Sequence, residues 1–220
     1  MKSINNLIEG YKTFHKNYFQ GSNILYESLK YGQSPHSLII SCSDSRVDPI
    51  TITAAKPGEI FVIRNVANIV PPFCEDHDTQ NNKHKVSYHG VSAAIEFAVK
   101  VLCVENIIII GHSNCSGIAT LLENKITKNK KPSNLSFDFL NNWVDILSKA
   151  CENEDRVCQD TITACGKRGV IISLENLSQF PWVKDKILNK SLSINGWFFD
   201  IASGELLEYR DKEFIPLDNS

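Results

Sequence analysis

Two short segments concentrate the residue types that can do chemistry: Cys42-Ser43-Asp44-Ser45-Arg46 and Gly111-His112-Ser113-Asn114-Cys115-Ser116-Gly117. Thiolate and imidazole together suit zinc, a borderline-soft ion that accepts both in tetrahedral geometry. His112 and Cys115 lie close together where a turn enters a helix, so both can reach one ion, and Cys42 arrives from elsewhere in the chain. Three protein ligands leave a fourth position, which marks a catalytic rather than a structural zinc site. A structural site would show a second Cys or His beside Cys42, and none is there. Asp44 and Arg46 add a layer, because in an extended segment Cys42, Asp44 and Arg46 point to the same side. A carboxylate beside the metal can accept the proton of a bound hydroxide in a hydrogen bond and fix its lone pair toward substrate. Arg46 can hold that carboxylate with two parallel hydrogen bonds and keep it off the metal. The candidate catalytic pair therefore also reads as a gate: with Asp44 on the metal, in a closed resting state, the fourth position is filled.

The other cysteines read as packing. Cys151, Cys158 and Cys165 recur every seven residues, so on a continuous helix they share one face as small apolar groups, and Cys103 reads the same way. Cys74 and His77 resemble a metal pair but lack a second pair nearby. His77, His84 and His89 are candidate proton carriers by residue type alone. Lys128, Lys130 and Lys131 read as a solvated loop.

Both chemical segments need elements to position them. Ser37-Leu-Ile-Ile-Ser-Cys42, Glu59-Ile-Phe-Val-Ile-Arg64 and Ile107 to Ile110 are short apolar runs that predict buried strands. The first and third run straight into the two segments. Ligands in open α/β sheets bind at the carboxyl ends of parallel strands, so neighbouring strands would open both segments into one crevice. Between the second and third runs, Gly90 to Leu102 predicts a helix with Val91, Ala94, Ile95, Ala98 and Leu102 on one face. Strand, helix, strand in this order argues for an α/β fold with a central, mostly parallel β-sheet flanked by helices. An N-terminal helical arm precedes it, with Leu7, Ile8, Tyr11, Phe14, Tyr18 and Phe19 at helical spacing and a second pattern in Ile24, Leu25, Ser28 and Leu29. Helical patterns resume from Phe137 to about Gln179, and Pro181 fits the first turn of one more helix. Leu192 to Tyr209 alternates around Ser203-Gly204 and predicts a C-terminal antiparallel hairpin. Residues 71–85 and 125–136 read as surface loops. The chain 1–220 is read as a single domain, with the arm over 1–31 and a catalytic core over 32–210.

Composition sets the outer limits. A net charge of −2 argues against a nucleic-acid surface, which is usually strongly basic. Polar residues interrupt every apolar run near the N-terminus, and no stretch approaches the ~18 apolar residues of a membrane span. The expected compartment is cytoplasmic, with no membrane partner. Seven cysteines without secretory context point to thiols and metal ligands rather than disulfides.

Cys-Ser-Asp-Ser-Arg at 42–46 followed by Gly-His-Ser-Asn-Cys-Ser-Gly at 111–117 resembles the β-class carbonic anhydrases. Supporting segments are GQSP at 32–35, PGEIFVIRNVANIVPP at 57–72, YHGVSAAIEFAV at 88–99 and INGWFFDIASGEL at 194–206. Gln33 within GQSP resembles the plant-type branch, and Ile39 stands where another branch has Trp. The resemblance implies one Zn2+ per subunit on Cys42, His112 and Cys115, and reversible hydration of carbon dioxide to bicarbonate and a proton. It further implies that Gln33 hydrogen-bonds a substrate oxygen, that Phe61, Val66 and Phe97 line an apolar pocket, and that the Ser116 N–H donates to bicarbonate. Ser116 replaces a glycine common in the family motif, and a positive φ there would cost a serine. The family's cleft lies at a dimer interface with the helical arm embracing the neighbour, which implies a homodimer or a dimer-based tetramer or octamer. Two thiolates cancel the charge of zinc, so activity is expected to rise with pH through a midpoint above the ~7 of a three-histidine site. Rival readings on the same residues are a carbonyl sulfide or carbon disulfide hydrolase and a non-catalytic zinc- or bicarbonate-binding protein.

Overall fold

The apolar runs become strands because β-branched residues fit a pleated surface buried on both faces. The computed structural model describes residues 4–20, 25–74, 89–127, 137 and 139–217. The chain divides into two compact units, Met1–Ser34 and Pro35–Ser220. In the first, α1 (Ile4–Phe19) and α2 (Leu25–Leu29) meet through an aromatic cluster: Tyr26 lies 4.7 Å from Phe19 and 5.8 Å from Phe14, centroid to centroid. No residue of α1 is buried.

The second unit follows the expected α/β order. β1 (Ser37–Cys42) leads through the short α3 (Pro49–Thr53) to β2 (Ile60–Asn65) and a 3₁₀ turn at Val66–Asn68. Then come α4 (His89–Lys100), β3 (Asn106–His112) and α5 (Ser116–Thr127). α6 (Leu140–Val144) runs into a 3₁₀ segment, Asp145–Cys151, and α7 (Gln159–Ser178) and α8 (Pro181–Leu188) follow. β4 (Ser193–Phe199), β5 (Leu206–Arg210) and β6 (Glu213–Pro216) complete it. The sheet order is β2-β1-β3-β4-β5-β6, with the first four strands parallel and the last two antiparallel. The expected C-terminal hairpin is present, and β6 adds a strand that the alternating pattern did not reveal. Residues 75–88 and 128–136, which include most of the two expected loops, lie outside the described residues, as do His77, His84 and the side chain of His89.

Leu38, Ile40, Ile107 and Ile109 point to one face of the sheet and join Ile95, Val99, Val170, Leu177 and Val183 in the main core. α7 lies close against this face. A methyl group on Gly196 would sit 2.8 Å from Leu174 and 2.9 Å from Val170, so any larger residue would have to push these side chains of α7 aside. The expectation of one helix carrying Cys151, Cys158 and Cys165 is corrected. The chain is irregular between the 3₁₀ segment and α7, and Cys158 stands at the start of α7, where its N–H donates to Thr161 Oγ1 at 3.0 Å. Cys151 and Cys165 are buried in the same apolar cluster. A period of seven is compatible with one helix but does not demand it, and the polar run Glu152-Asn-Glu-Asp-Arg156 is where the helical path breaks.

Candidate metal centre

β1 and β3 are neighbours in parallel register, with Ser41 opposite Ile110. The chain leaves β1 for β2 on one side and reaches β3 on the other, so a crevice opens at their carboxyl ends. Cys42, His112 and Cys115 meet there, all buried, with their donor atoms within 4.8 Å of one another. Among the described residues this is the only such group of three or more metal-ligating side chains. The two sulfurs are 3.9 Å apart, too far for a disulfide. Two thiolates on one tetrahedral zinc, each ~2.3 Å from it, would be about 3.8 Å apart. His112 Nδ1 lies 2.9 Å from the Ser113 carbonyl. A carbonyl only accepts, so Nδ1 carries the proton and Nε2 presents a lone pair. Nε2 is buried and has no hydrogen-bond partner among the described residues. A buried acceptor facing two sulfurs is costly unless something electron-poor sits among them.

The thiols show the same demand. Hydrogen bonding from Cys115 holds the Cys42 thiol well below its ordinary value, against burial; facing that thiolate, Cys115 is pushed up. Two sulfurs this close share one proton, and a divalent cation in its place lets both ionise. The Ala67 N–H also donates to Cys42 Sγ at 3.4 Å. It comes from the 3₁₀ turn, where Ala67 has φ 63°. Gly117 makes this approach possible, since a Cβ there would lie 2.7 Å from Val66 and 3.1 Å from the Ala67 methyl.

Asp44 and Arg46 pair as expected, by a different route. The segment turns after Asp44 instead of running extended: Val47 N–H donates to Asp44 O at 3.1 Å, and Arg46 N–H to Asp44 Oδ1 at 3.0 Å. Arg46 Nε donates to Oδ1 at 2.9 Å and Nη2 to Oδ2 at 2.7 Å, and Nη2 also reaches the Asn114 carbonyl at 3.2 Å. The Arg46 guanidinium holds the Asp44 carboxyl well below the usual carboxylate range, against the opposing effect of burial. Arg64, which the sequence reading passed over, braces the loop from β2. It donates to Cys42 O at 3.0 Å and Asp44 O at 2.7 Å, and pairs with Asp48 at 2.9 Å.

Residues 37–206 match the family model described as Carbonic anhydrase. The chain is 34% identical over 209 residues to beta carbonic anhydrase 3 of Arabidopsis thaliana, covering 93% of this chain and 76% of that protein. The chain belongs to the β-carbonic anhydrase family. Among solved structures it resembles the β-carbonic anhydrase CcaA, with TM-score 0.81, 31% identity and coverage of 97% of this chain and 99% of that one. It also resembles one of two tetrameric β-carbonic anhydrases of Sordaria macrospora, with TM-score 0.70, 29% identity and coverage of 93% of this chain and 92% of that one. As a β-carbonic anhydrase the chain is a zinc-dependent enzyme that hydrates carbon dioxide reversibly, and its donor set fits zinc. The carbonyl sulfide and non-catalytic readings are not favoured.

The β-carbonic anhydrase pocket residues divide between places. Val66 and Ser116 line a cleft with Cys42, Ser43, Asp44, Ser45, Arg46 and Gly117. Ser116 opens α5 without a positive φ; the left-handed residue is Asn114, at φ 55°. The Ser116 N–H thus belongs to the first turn of a helix, whose N–H groups have no acceptor within the helix itself. Phe61 and Phe97 do not line this cleft. They pack on each other, 5.9 Å apart, on β2 and α4, and Phe97 is 43% exposed. Gln33 is exposed and belongs to the first unit. Trp143, a packing residue by its type, also donates through Nε1 to Val66 O at 2.8 Å and ties down the turn that serves Cys42.

Proposed function

We propose that Cys42, His112 and Cys115 hold one zinc per subunit, and that Asp44, held by Arg46, orients the reacting water for attack on carbon dioxide. The observation that carries this reading is the buried Nε2 of His112, without a hydrogen-bond partner among the described residues and facing two sulfurs 3.9 Å apart. Bound zinc supplies the Lewis acidity that makes water a nucleophile near neutral pH. Asp44 lies two residues from a ligand and stays ionised, so it accepts a hydrogen bond from water and never donates one. That polarity turns the water's lone pair toward substrate. Arg46 is a positioning residue: with both its bonds made, Asp44 faces the cleft in one orientation. A closed resting state with Asp44 as a fourth ligand requires Arg46 to release both oxygens. The Ser116 N–H is placed to donate to bicarbonate, and Val66 supplies apolar wall.

A second copy of the chain completes the pocket with Phe61 and Phe97, and Gln33 binds a substrate oxygen, as the family resemblance implies. Three observations support the shared pocket: Phe61 and Phe97 are absent from the cleft's own wall, Phe97 is substantially exposed, and relatives from Sordaria macrospora are tetrameric. β2 is an edge strand with a mostly half-buried apolar run, a surface that proteins usually cover. The assembly is a homodimer or a dimer-based tetramer or octamer, with residues 1–31 as an interface arm on a catalytic core of 32–210. No helix among the described residues is long and apolar enough to cross a membrane, and we place the enzyme in the cytoplasm.

Metal analysis with stopped-flow hydration assays tests the reading. One zinc per subunit and chelator-sensitive hydration are expected. Asp44→Ala should keep its zinc and lose about 10²-fold or more in kcat. A folded protein without zinc, or full turnover in Asp44→Ala, refutes the assigned roles.

A further inference from the structure

The metal-ligating imidazole is held through a relay that begins on a different strand. His112 closes β3 directly opposite Phe199, the last residue of β4. Beyond Phe199 the chain turns at Asp200, and that turn grips Ser113. Ser113 N–H donates to Phe199 O at 3.0 Å. Ser113 Oγ donates to Asp200 Oδ1 at 3.2 Å and accepts from the Ile201 N–H at 2.9 Å. Asp200 Oδ1 is itself fixed by the Ala202 N–H at 2.8 Å, and the Asp200 backbone exchanges bonds with Glu205 and Gly204, both at 2.8 Å. Ser113 is therefore pinned at its nitrogen and its hydroxyl, and it is 4% exposed. Its remaining polar group, the carbonyl, takes the Nδ1 proton of His112 at 2.9 Å.

We propose that Asp200 is a positioning residue for the zinc-ligating imidazole, acting through Ser113 to fix the ring's tautomer and direction. The proposal rests on the ligand assignment above. Imidazole ligates only through an unprotonated nitrogen, and the partner of the other nitrogen decides which one that is. If Ser113 turns, its carbonyl leaves Nδ1, the proton is free to move to Nε2, and the ring is free to swing. Asp200 makes no bond to His112, so its effect reaches the metal only through the Ser113 backbone. Its carboxylate has two donors to hold at once, Ser113 Oγ–H and Ala202 N–H. An asparagine side-chain oxygen can accept both, whereas alanine accepts neither.

The test is zinc transfer from the loaded enzyme to a chromophoric chelator, with the tautomer of His112 read by long-range 1H–15N correlation. Asp200→Ala should release zinc about 10- to 100-fold faster, the range for loss of an outer-shell partner, and should broaden or shift the His112 Nδ1–H signal. Asp200→Asn should restore most of the retention. Ser113→Ala cuts the relay while leaving the Asp200–Ala202 bond intact, so it should release zinc faster as well, and it stands in if Asp200→Ala fails to fold. Ser203→Ala disturbs the same turn, where Ser203 Oγ accepts from Glu205 N–H at 3.2 Å, without touching the relay, and should retain zinc like the wild type. Wild-type retention in Asp200→Ala or Ser113→Ala, no rescue by Asn, or equal loss in Ser203→Ala overturns the proposal. A wild-type protein that takes up no zinc refutes the ligand assignment instead.

Discussion

At the scale of single residues, the site depends on polar groups whose protonation is set by one or two neighbours. Asp44 shows this most directly. Its carboxyl sits below its ordinary range because Arg46 grips it, so its contribution to stability is present above the unfolded value of about 4 and is lost as pH falls through the lower folded value. The stability difference between wild type and Asp44→Asn should be constant from pH 7 to 5 and shrink below about pH 4, as read from urea midpoints. A difference that grows on acidification contradicts the assignment. Gly117 makes a steric demand instead. Gly117→Ala must displace Val66 and the Ala67 methyl, moving the N–H that faces Cys42, and should cost about 1–3 kcal/mol of stability in thermal unfolding. The ligands were legible in the sequence because Cys and His at such spacing have few other uses after a strand. The relay through Ser113 and the Trp143 bond to Val66 were not, because each acts on a backbone carbonyl and leaves no signature in residue type.

At the scale of elements, the three strands were readable because their apolar runs, though short, are unbroken and rich in β-branched residues, and the helix between them because its apolar residues recur at helical spacing. Where the reading failed, short-range hydrogen bonding overrode pattern. The Asp44–Arg46 segment was expected to continue the strand, yet Asp44 closes a turn through both its carbonyl and its side chain. β6 is four residues long and ends on Pro216, too short to show alternation. α3 is also short, at five residues, and owes its start to Asp48, whose Oδ1 accepts from the Thr51 N–H at 3.0 Å, with Pro49 fitting the first turn. Asp48 also anchors Arg64, the residue that holds the carbonyls of Cys42 and Asp44. Asp48→Ala removes the cap and an ion pair together and should lower stability by about 1–2 kcal/mol. Asp48→Asn keeps the cap and should cost less. Equal losses in the two variants, measured by urea denaturation, would assign the whole effect to the ion pair.

At the scale of the whole molecule, the chain looks unfinished in two respects. α1 has no buried residue, and Leu7, Ile4 and Tyr11 are 76%, 72% and 61% exposed, a patch of the kind that marks an interface. The cleft beside Cys42 has Val66 as its apolar wall, while Phe61 and Phe97 sit together elsewhere on the same unit. Both features make sense if two copies exchange surfaces, each lending aromatic side chains to the other's cleft. Mixed assemblies discriminate this from a self-contained site. Cys42→Ser destroys a chain's own metal site and leaves its Phe97 intact, whereas Phe97→Ala does the reverse. Each variant alone should be nearly inactive. After dissociation and joint reassembly, half of the dimers pair one chain of each kind, and each such dimer holds one intact metal site facing one intact Phe97. Activity should then recover to about a quarter of wild type, following from two-fold symmetry and random pairing. If Phe97 serves the cleft of its own chain, every site in the mixture lacks either a ligand or its aromatic wall, and mixing recovers nothing.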